Sequence, residues 1–397
     1  MTVPDVKDTN PVPFALPDIT EREISEVVDT LRSNWVTTGP KVRRFEGGFA
    51  TAVGGRHAVA VNSCTAALHL ALEALGVTSG DRVYMPPYTF AATAEVVRYL
   101  GATPVFVDVE RDTLNIDLDL LERQLEQDRA VFPGRGRAVM PVHIAGVPVD
   151  MDRLWDLARK FSLAVVEDAA HAFPASRAGN VVGSMPDDIR GAVCFSFYAT
   201  KTITTGEGGM LVTPDESLAE RARSMSLHGL SRAAWKRYES GGNWRYDIVA
   251  PGYKYNLTDI AAALGLVQLD RAVVMRDKRA AIAERYNKAF ADTRLELPTV
   301  PSGVASAWHL YIVRARDEAS RDSLIAHLTA EGVGSSVHFI PLHLHSYYRE
   351  TYGYEEADFP VASSQFSRAV SLPAFSSMSD LQIRRVIDVV HAWEEPA

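Results

Sequence analysis

The sequence predicts an α/β fold: a mostly parallel mixed sheet with helices on both faces, followed by a smaller α+β domain. Three observations predict it. From about residue 56, short apolar runs alternate with amphipathic helical patterns, the mark of strands joined by helical crossovers. One long helical pattern, Thr258 to Ala291, separates this region from a second set of strands and helices. The 397 residues suggest two or three domains. The expected division is a loose Pro-rich arm over 1–12, a large α/β domain over 13–257, and a linking helix with a small domain over 258–397.

In order, residues 19–33 read as a helix, with Ile24, Val27, Val28 and Leu31 on one face. Trp35 to Pro40 reads as a loop and Phe45 to Val53 as a short helix. His57–Val61 is the first strand and Thr65–Leu75 a strong helix. Strands Arg82–Met85, Pro104–Val107, Ala138–Ile144 and Leu163–Val166 follow. Helices Ala91–Leu100, Leu118–Gln127 and Met151–Lys160 lie between them. An apolar strand from Cys194 leads toward Lys201, a glycine turn spans Gly206 to Gly209, and Met210–Val212 closes it. Leu218–Met225 is a short helix. The small domain is expected to hold strands Trp308–Val313 and Ser335–Phe339 and helices Arg321–Glu331 and Ser379–Trp393.

Ligands of parallel sheets bind at the carboxyl ends of the strands. After the first strand, Asn62-Ser63-Cys64-Thr65-Ala66 opens a helix. Its free N–H groups and dipole favour an anion, although Ser63 or Thr65 can equally be an ordinary cap. After the second strand comes Tyr88-Thr89-Phe90, an aromatic that stacks on a flat ligand or packs in the core. After strand Leu163–Val166 come Glu167, Asp168, Ala169, Ala170 and His171; a carboxylate at the end of a buried strand needs either a helix to cap or a cationic ligand to face. A lone Lys201 says little by itself. Together, an anion cradle, an aromatic plate, a carboxylate and a lysine match pyridoxal phosphate. Its phosphate, ring face, ring nitrogen and aldehyde each need one of them.

The matching stretches are Ser63-Cys64-Thr65-Ala66-Ala67-Leu68, Thr89-Phe90, Glu167 to His171, and Ser196 through Lys201 to Gly209. Pro251 to Ile260 and Val337 to His343 match as well. On these residues the chain resembles the DegT/DnrJ/EryC family of sugar aminotransferases. The resemblance covers about residues 12–395 and implies the aspartate-aminotransferase-like fold and a pyridoxal phosphate cofactor. It implies that Lys201 bonds the cofactor aldehyde and then shuttles protons. Asp168 pairs with the ring nitrogen, Phe90 stacks on the ring and His171 sits near its phenolic oxygen. Thr65, Ala66 and Ser196 hold the phosphate. Either Lys254 or Asn256 reaches the phosphate site of a neighbouring subunit, which implies a homodimer. Two departures stand out: Cys64 where the family commonly has glycine, and Val147 in a segment that is usually Gly-Gln-Pro.

The resemblance further implies amino transfer from an amino-acid donor, glutamate, to a nucleotide-linked keto-sugar. The nearest resemblance is to enzymes that aminate C4 of a dTDP-4-keto-6-deoxyhexose in deoxyaminosugar and antibiotic pathways. A 3-keto-sugar, a keto-cyclitol, and a regulator that binds without turnover are the alternatives. The loop 228–252 is expected to carry specificity. His338, His343 and His345 show no acidic partner at metal-ligand spacing, so they read as substrate contacts or packing. A net charge of -9 argues against nucleic acid or anionic membrane. Two cysteines make no disulfide framework and fit a cytoplasmic setting. No apolar run reaches membrane-spanning length, and the first residues do not read as a signal peptide.

Overall fold

The computed structural model describes residues 10–231 and 246–396. A seven-stranded sheet forms its centre. The strands that build it are β1 (His57–Val61), β2 (Arg82–Met85), β3 (Thr103–Phe106), β4 (Gly136–Val139), β5 (Ala164–Asp168), β8 (Gly191–Ser196) and β9 (Gly209–Thr213). Two short strands, β6 (Ser176–Arg177) and β7 (Asn180–Val181), pair with each other outside it. The spatial order is β1-β9-β8-β5-β4-β2-β3. Strands β3, β2, β4, β5 and β8 run parallel, and β9 is antiparallel to both of its neighbours, β8 and β1. The carboxyl ends of β1, β2, β5 and β8 therefore share one edge, where the sequence placed the candidate groups.

Helices cover both faces, as expected for an α/β sheet. Alternate residues of β8 show why. Val193 and Phe195 join an apolar cluster with Phe45 and Phe49 of α2 (Pro40–Ala52), after α1 (Glu21–Arg32). Ala192 and Cys194 join the opposite cluster with Leu68 and Leu72 of α3 (Cys64–Ala74). Phe49 anchors the first cluster, with ring centres 4.9 Å from Phe195 and 4.7 Å from Phe173. Helices α4 (Ala92–Tyr99), α5 (Leu118–Val131), α6 (Met151–Phe161) and α7 (Glu216–Met225) complete the layers. β9 passes so close to α3 that a Cβ on Gly209 would lie 2.5 Å from the Ser63 carbonyl carbon. Only glycine fits there.

The expected linking helix is α8 (Asp259–Ala289), 31 residues capped by the Thr258 side chain. Its first half packs Ala262 and Ala272 against the sheet cluster. Its second half gives Ile282 and Tyr286 to a separate cluster with Tyr311, Leu324 and Val386. That cluster holds β11 (Tyr311–Arg314), which follows the short β10 (Val304–Ala305), and β12 (Ala369–Leu372). It also holds α9 (Glu318–Ala330) and α12 (Asp380–Ala392); α10 (Ser346–Tyr352) and α11 (Pro360–Arg368) lie between them in the chain. At the other end, Asp259 accepts the backbone N–H groups of Lys41 and Val42 at 3.1 and 3.0 Å. It thus caps α2, whose own N-cap Gly39 has no side chain to do so.

Several expectations need correction. Ser335–Phe339 is not a strand; a lone bridge between Ser336 and Ser371 is the ladder contact there. The reason is that Tyr88 donates to the His338 carbonyl at 2.8 Å and turns this backbone toward the sheet edge. The strand expected over Ala138–Ile144 stops at Val139, and a 3-10 turn follows at Ile144–Gly146. The strand expected to end at Val166 runs on to Asp168. Strand β12 and helices α10 and α11 were not foreseen. Residues 1–9 of the expected arm and residues 232–245 of the expected specificity loop lie outside the described residues. Val12 itself is 1% exposed and exchanges backbone hydrogen bonds with Gly332 and Gly334. Among the described residues no helix is long and apolar enough to cross a membrane.

Helix α1 is tied to α8 through Glu23, which is fully buried. Its carboxylate accepts from the backbone N–H and the hydroxyl of Thr20, from Gln268 at 2.8 Å and from Arg271 at 2.5 Å. Burial alone would raise its pKa, but hydrogen bonds from Thr20, Arg271 and Gln268 outweigh it and hold the group at about 2 instead of 4.5. A depressed carboxylate stabilises the fold fully above its unfolded pKa and loses that contribution as pH falls through its folded one. Glu23→Gln should therefore lower stability at neutral pH by about 1–3 kcal/mol. It should also flatten the fall in thermal midpoint between pH 4.5 and about 2 that the parent shows. Equal acid sensitivity in both proteins would contradict this assignment.

Candidate active site

The strand ends enclose a cavity of about 460 Å³. Ser63, Thr65, Phe90, Asp168, His171, Ser196 and Lys201 all line it. Residues that the chain separates by more than a hundred positions thus meet because parallel strands end together.

Lys201 follows β8 on a turn closed by its own N–H donating to the Tyr198 carbonyl at 2.9 Å. Its Nζ lies 3.3 Å from His309 Nε2. Burial lowers its pKa from 10.5 to about 8. Cys64 and Asp168 pull the other way, and the Arg279 guanidinium adds to the lowering. About a tenth of this amine is therefore uncharged at pH 7, hundreds of times more than for a lysine at its ordinary pKa.

Asp168 closes β5 and is 6% exposed. One carboxylate oxygen accepts from the Thr93 hydroxyl at 2.8 Å and the other from the Ala170 N–H at 3.2 Å. Burial raises its pKa, against the pull of Thr93, Ala170 and Lys201. No basic side chain pairs with it among the described residues, so it is an anion suited to a cationic ligand atom. His171 is stacked 5.7 Å from Phe339 and lies 4.3 Å from the His309 ring. Burial pushes both imidazoles well below their ordinary range, and Lys201 pushes further. The Nδ1 atoms of His171 and His309 are buried without a partner. Phe90 is 61% exposed at the rim, 6.0 Å from the Phe339 ring.

The expected cradle lies at the start of α3. Ser63 is the cap of α3, and its hydroxyl accepts the Ala66 N–H at 3.1 Å. Ala66 is 3% exposed and is not among the residues that line the cavity. Thr65 and Ser196 do line it; Ser196 Oγ accepts the Tyr198 N–H at 3.3 Å. The first-turn N–H groups of a helix have no acceptor within it, and Cys64 and Thr65, which line the cavity, sit in that first turn. Lys254 and Asn256 do not line this chain's cavity. Lys254 Nζ donates to Asn256 Oδ1 at 2.6 Å, and Asn256 Nδ2 donates to Thr38 Oγ1 at 2.8 Å. His343 Nε2 lies 2.9 Å from Ser363 Oγ and belongs to packing. His338 lines the cavity, its Nδ1 2.9 Å from Ser371 Oγ.

These residues fit pyridoxal phosphate. A buried carboxylate without a cation suits the ring nitrogen, and a buried lysine that loses its proton easily suits the aldehyde. The start of a helix suits the phosphate, and orphaned imidazole nitrogens await polar partners. Sequence reasoning missed Thr93, His309 and Arg279. Thr93 sits one helical turn beyond Thr89, with the two hydroxyls 2.8 Å apart, a signal that was available. His309 carried no signal.

Cys64 and Cys194 are both buried. Burial raises both thiols well above the ordinary value, and the Asp168 charge adds to it. A thiol reagent such as Ellman's should react with neither cysteine quickly in the native protein and with both in denaturant. Rapid native labelling of Cys64 would contradict this electrostatic picture.

Comparison with known proteins agrees with the geometry. The model of the DegT/DnrJ/EryC1/StrS aminotransferase family matches residues 17–391. The spore coat polysaccharide biosynthesis protein SpsC of Bacillus subtilis is 48% identical over 96% of this chain and 96% of its own. A putative sugar aminotransferase of Streptococcus pneumoniae, Spr1654, was solved in PLP and PMP forms. In its PMP form it has a TM-score of 0.87 and 37% identity, covering 95% of this chain and 98% of its own. DesV of S. venezuelae superposes with a TM-score of 0.86 and 33% identity, covering 97% and 98%. The chain therefore belongs to the DegT/DnrJ/EryC1/StrS aminotransferase family and is a sugar aminotransferase of the pyridoxal-phosphate-dependent class.

Proposed function

We propose that this enzyme transfers an amino group from glutamate to C4 of a nucleotide-linked 4-keto-6-deoxyhexose, a dTDP-sugar. The observation that carries the reading is one cavity holding a buried Lys201 with its pKa lowered to about 8 and a buried Asp168 that lacks a cation. The similarity to a spore coat polysaccharide biosynthesis protein supports a sugar made for later transfer. Donor and acceptor use the same site in turn, so kinetics are ping-pong.

Pyridoxal phosphate, when bound, supplies the aldehyde and the electron-withdrawing ring that amino transfer requires. Lys201 Nζ would be the nucleophile that holds it and the base that would carry the proton of the donor carbon. Asp168 keeps the ring nitrogen protonated, with Thr93 and the Ala170 N–H fixing its orientation. Thr65, Ser196 and the first-turn N–H groups of α3 hold the phosphate. Phe90 would cover one face of the ring and His171 would sit at its phenolic edge. Lys254 or Asn256 of a second copy completes the phosphate site, which makes the working unit a homodimer.

The test is a panel of nucleotide keto-sugars with glutamate, read by product mass and NMR. A 4-amino-4,6-dideoxyhexose attached to dTDP is the expected product. Amination at C3 only, or of a cyclitol ketone only, would overturn the substrate assignment. Lys201→Ala should be colourless and lose activity by more than about 10⁴-fold, because it removes both nucleophile and proton carrier. Asp168→Asn should stay folded and lose about 10²–10³-fold in kcat, the scale of one preorganised electrostatic contact.

A further inference from the structure

Arg279 lies on α8 behind the lysine turn and is 3% exposed. Its Nη1 donates to the carbonyls of Ala374 at 2.5 Å and His309 at 3.3 Å, and its Nη2 donates to the carbonyl of Thr200 at 3.3 Å. Its Nε is buried without a partner. No carboxylate forms an ion pair with it among the described residues. The acid whose charge it feels, Asp18, is already engaged by Arg271 at 2.6 Å and by the Ser376 hydroxyl at 3.0 Å.

A buried cation held by carbonyl dipoles alone is costly, since dipoles replace the lost hydration only in part. Its position gives the cost a use. Thr200 immediately precedes Lys201, and the His309 ring touches Lys201 Nζ. One guanidinium therefore fixes the backbones of both groups. It is also a fixed positive charge beside them. Asp168 and Cys64 favour the ammonium form of Lys201, and Arg279 opposes them. His171, His309 and His338 also face the lysine, and burial keeps all three neutral.

We propose that Arg279 is a positioning residue: its guanidinium pins the lysine turn to the His309 segment and, as a buried cation with no carboxylate partner among the described residues, adds a fixed positive charge behind Lys201. This rests on the reading of Lys201 as the lysine that holds the cofactor. Loss of the charge shifts the amine toward ammonium, the form that is neither nucleophile nor base. The guanidinium touches no substrate atom and acts through its two neighbours.

The test titrates Lys201 in apoprotein by trace acetylation across about pH 6 to 10, with the Lys201 peptide quantified by mass spectrometry. The parent should titrate near 8. Arg279→Gln keeps amide donors for the carbonyls but not the charge, and should raise the midpoint by about one unit. Labelling near pH 7.5 should then fall by about five- to tenfold and recover above about pH 10. Arg279→Lys keeps the charge, and its midpoint should stay near the parent's. If the Gln variant does not fold, Arg279→Lys alone carries the test, and its midpoint must stay within about half a unit of the parent's. An unmoved midpoint in a folded Gln variant, or a Lys variant with a midpoint raised by about one unit, would overturn the proposal. Neither readout needs turnover, so a failure to hold cofactor on Lys201 is seen separately, as a colourless parent protein.

Discussion

A lysine amine enclosed at a sheet edge must shed its charge or be paired, and the structure around Lys201 follows from that constraint. Burial sets the direction, lowering the pKa to about 8. The neighbours then adjust it. Neutral histidines take no charge of their own, Asp168 sits where it can face a ligand cation, and Arg279 adds a fixed positive charge from behind. An amine in this state is available as a nucleophile at neutral pH, which an exposed lysine near its ordinary pKa is not.

The constraint reaches well beyond the cavity. The Thr204 N–H, three residues past Lys201, donates to Gln268 on α8 at 3.2 Å. Gln268 in turn donates to Glu23 on α1. The Thr204 hydroxyl donates to the Phe197 carbonyl and accepts the Gly206 N–H. The lysine turn is thus held from α1 through α8 as well as from the sheet. Both α8 contacts, Gln268 and Arg279, come from one rigid element that also packs the C-terminal cluster. A single helix ties the sheet edge to the segment that carries His309.

What the sequence revealed is what strand order alone determines. Apolar runs marked the strands, and the residues just after them, Ser63, Phe90, Asp168 and Lys201, were legible because parallel strands end on one edge. His309 and Arg279 were not legible. They lie 108 and 79 positions from their partners Lys201 and Thr200, and their contacts depend on how the C-terminal segment docks. Ser335–Phe339 reads as a strand from its residue types, yet its backbone is drawn to Tyr88 rather than to a ladder. Ala66 lies in the motif, but capping chemistry claims its N–H. The motif therefore names the neighbourhood, and hydrogen-bond accounting decides which members face the ligand.

The central claim is that Lys201 alone holds the cofactor. Protein loaded with pyridoxal phosphate, reduced with borohydride and digested, tests it by peptide mass. The account predicts one pyridoxyl phosphate adduct per chain, on the peptide that contains Lys201. An adduct on another lysine, or none at all, would contradict it.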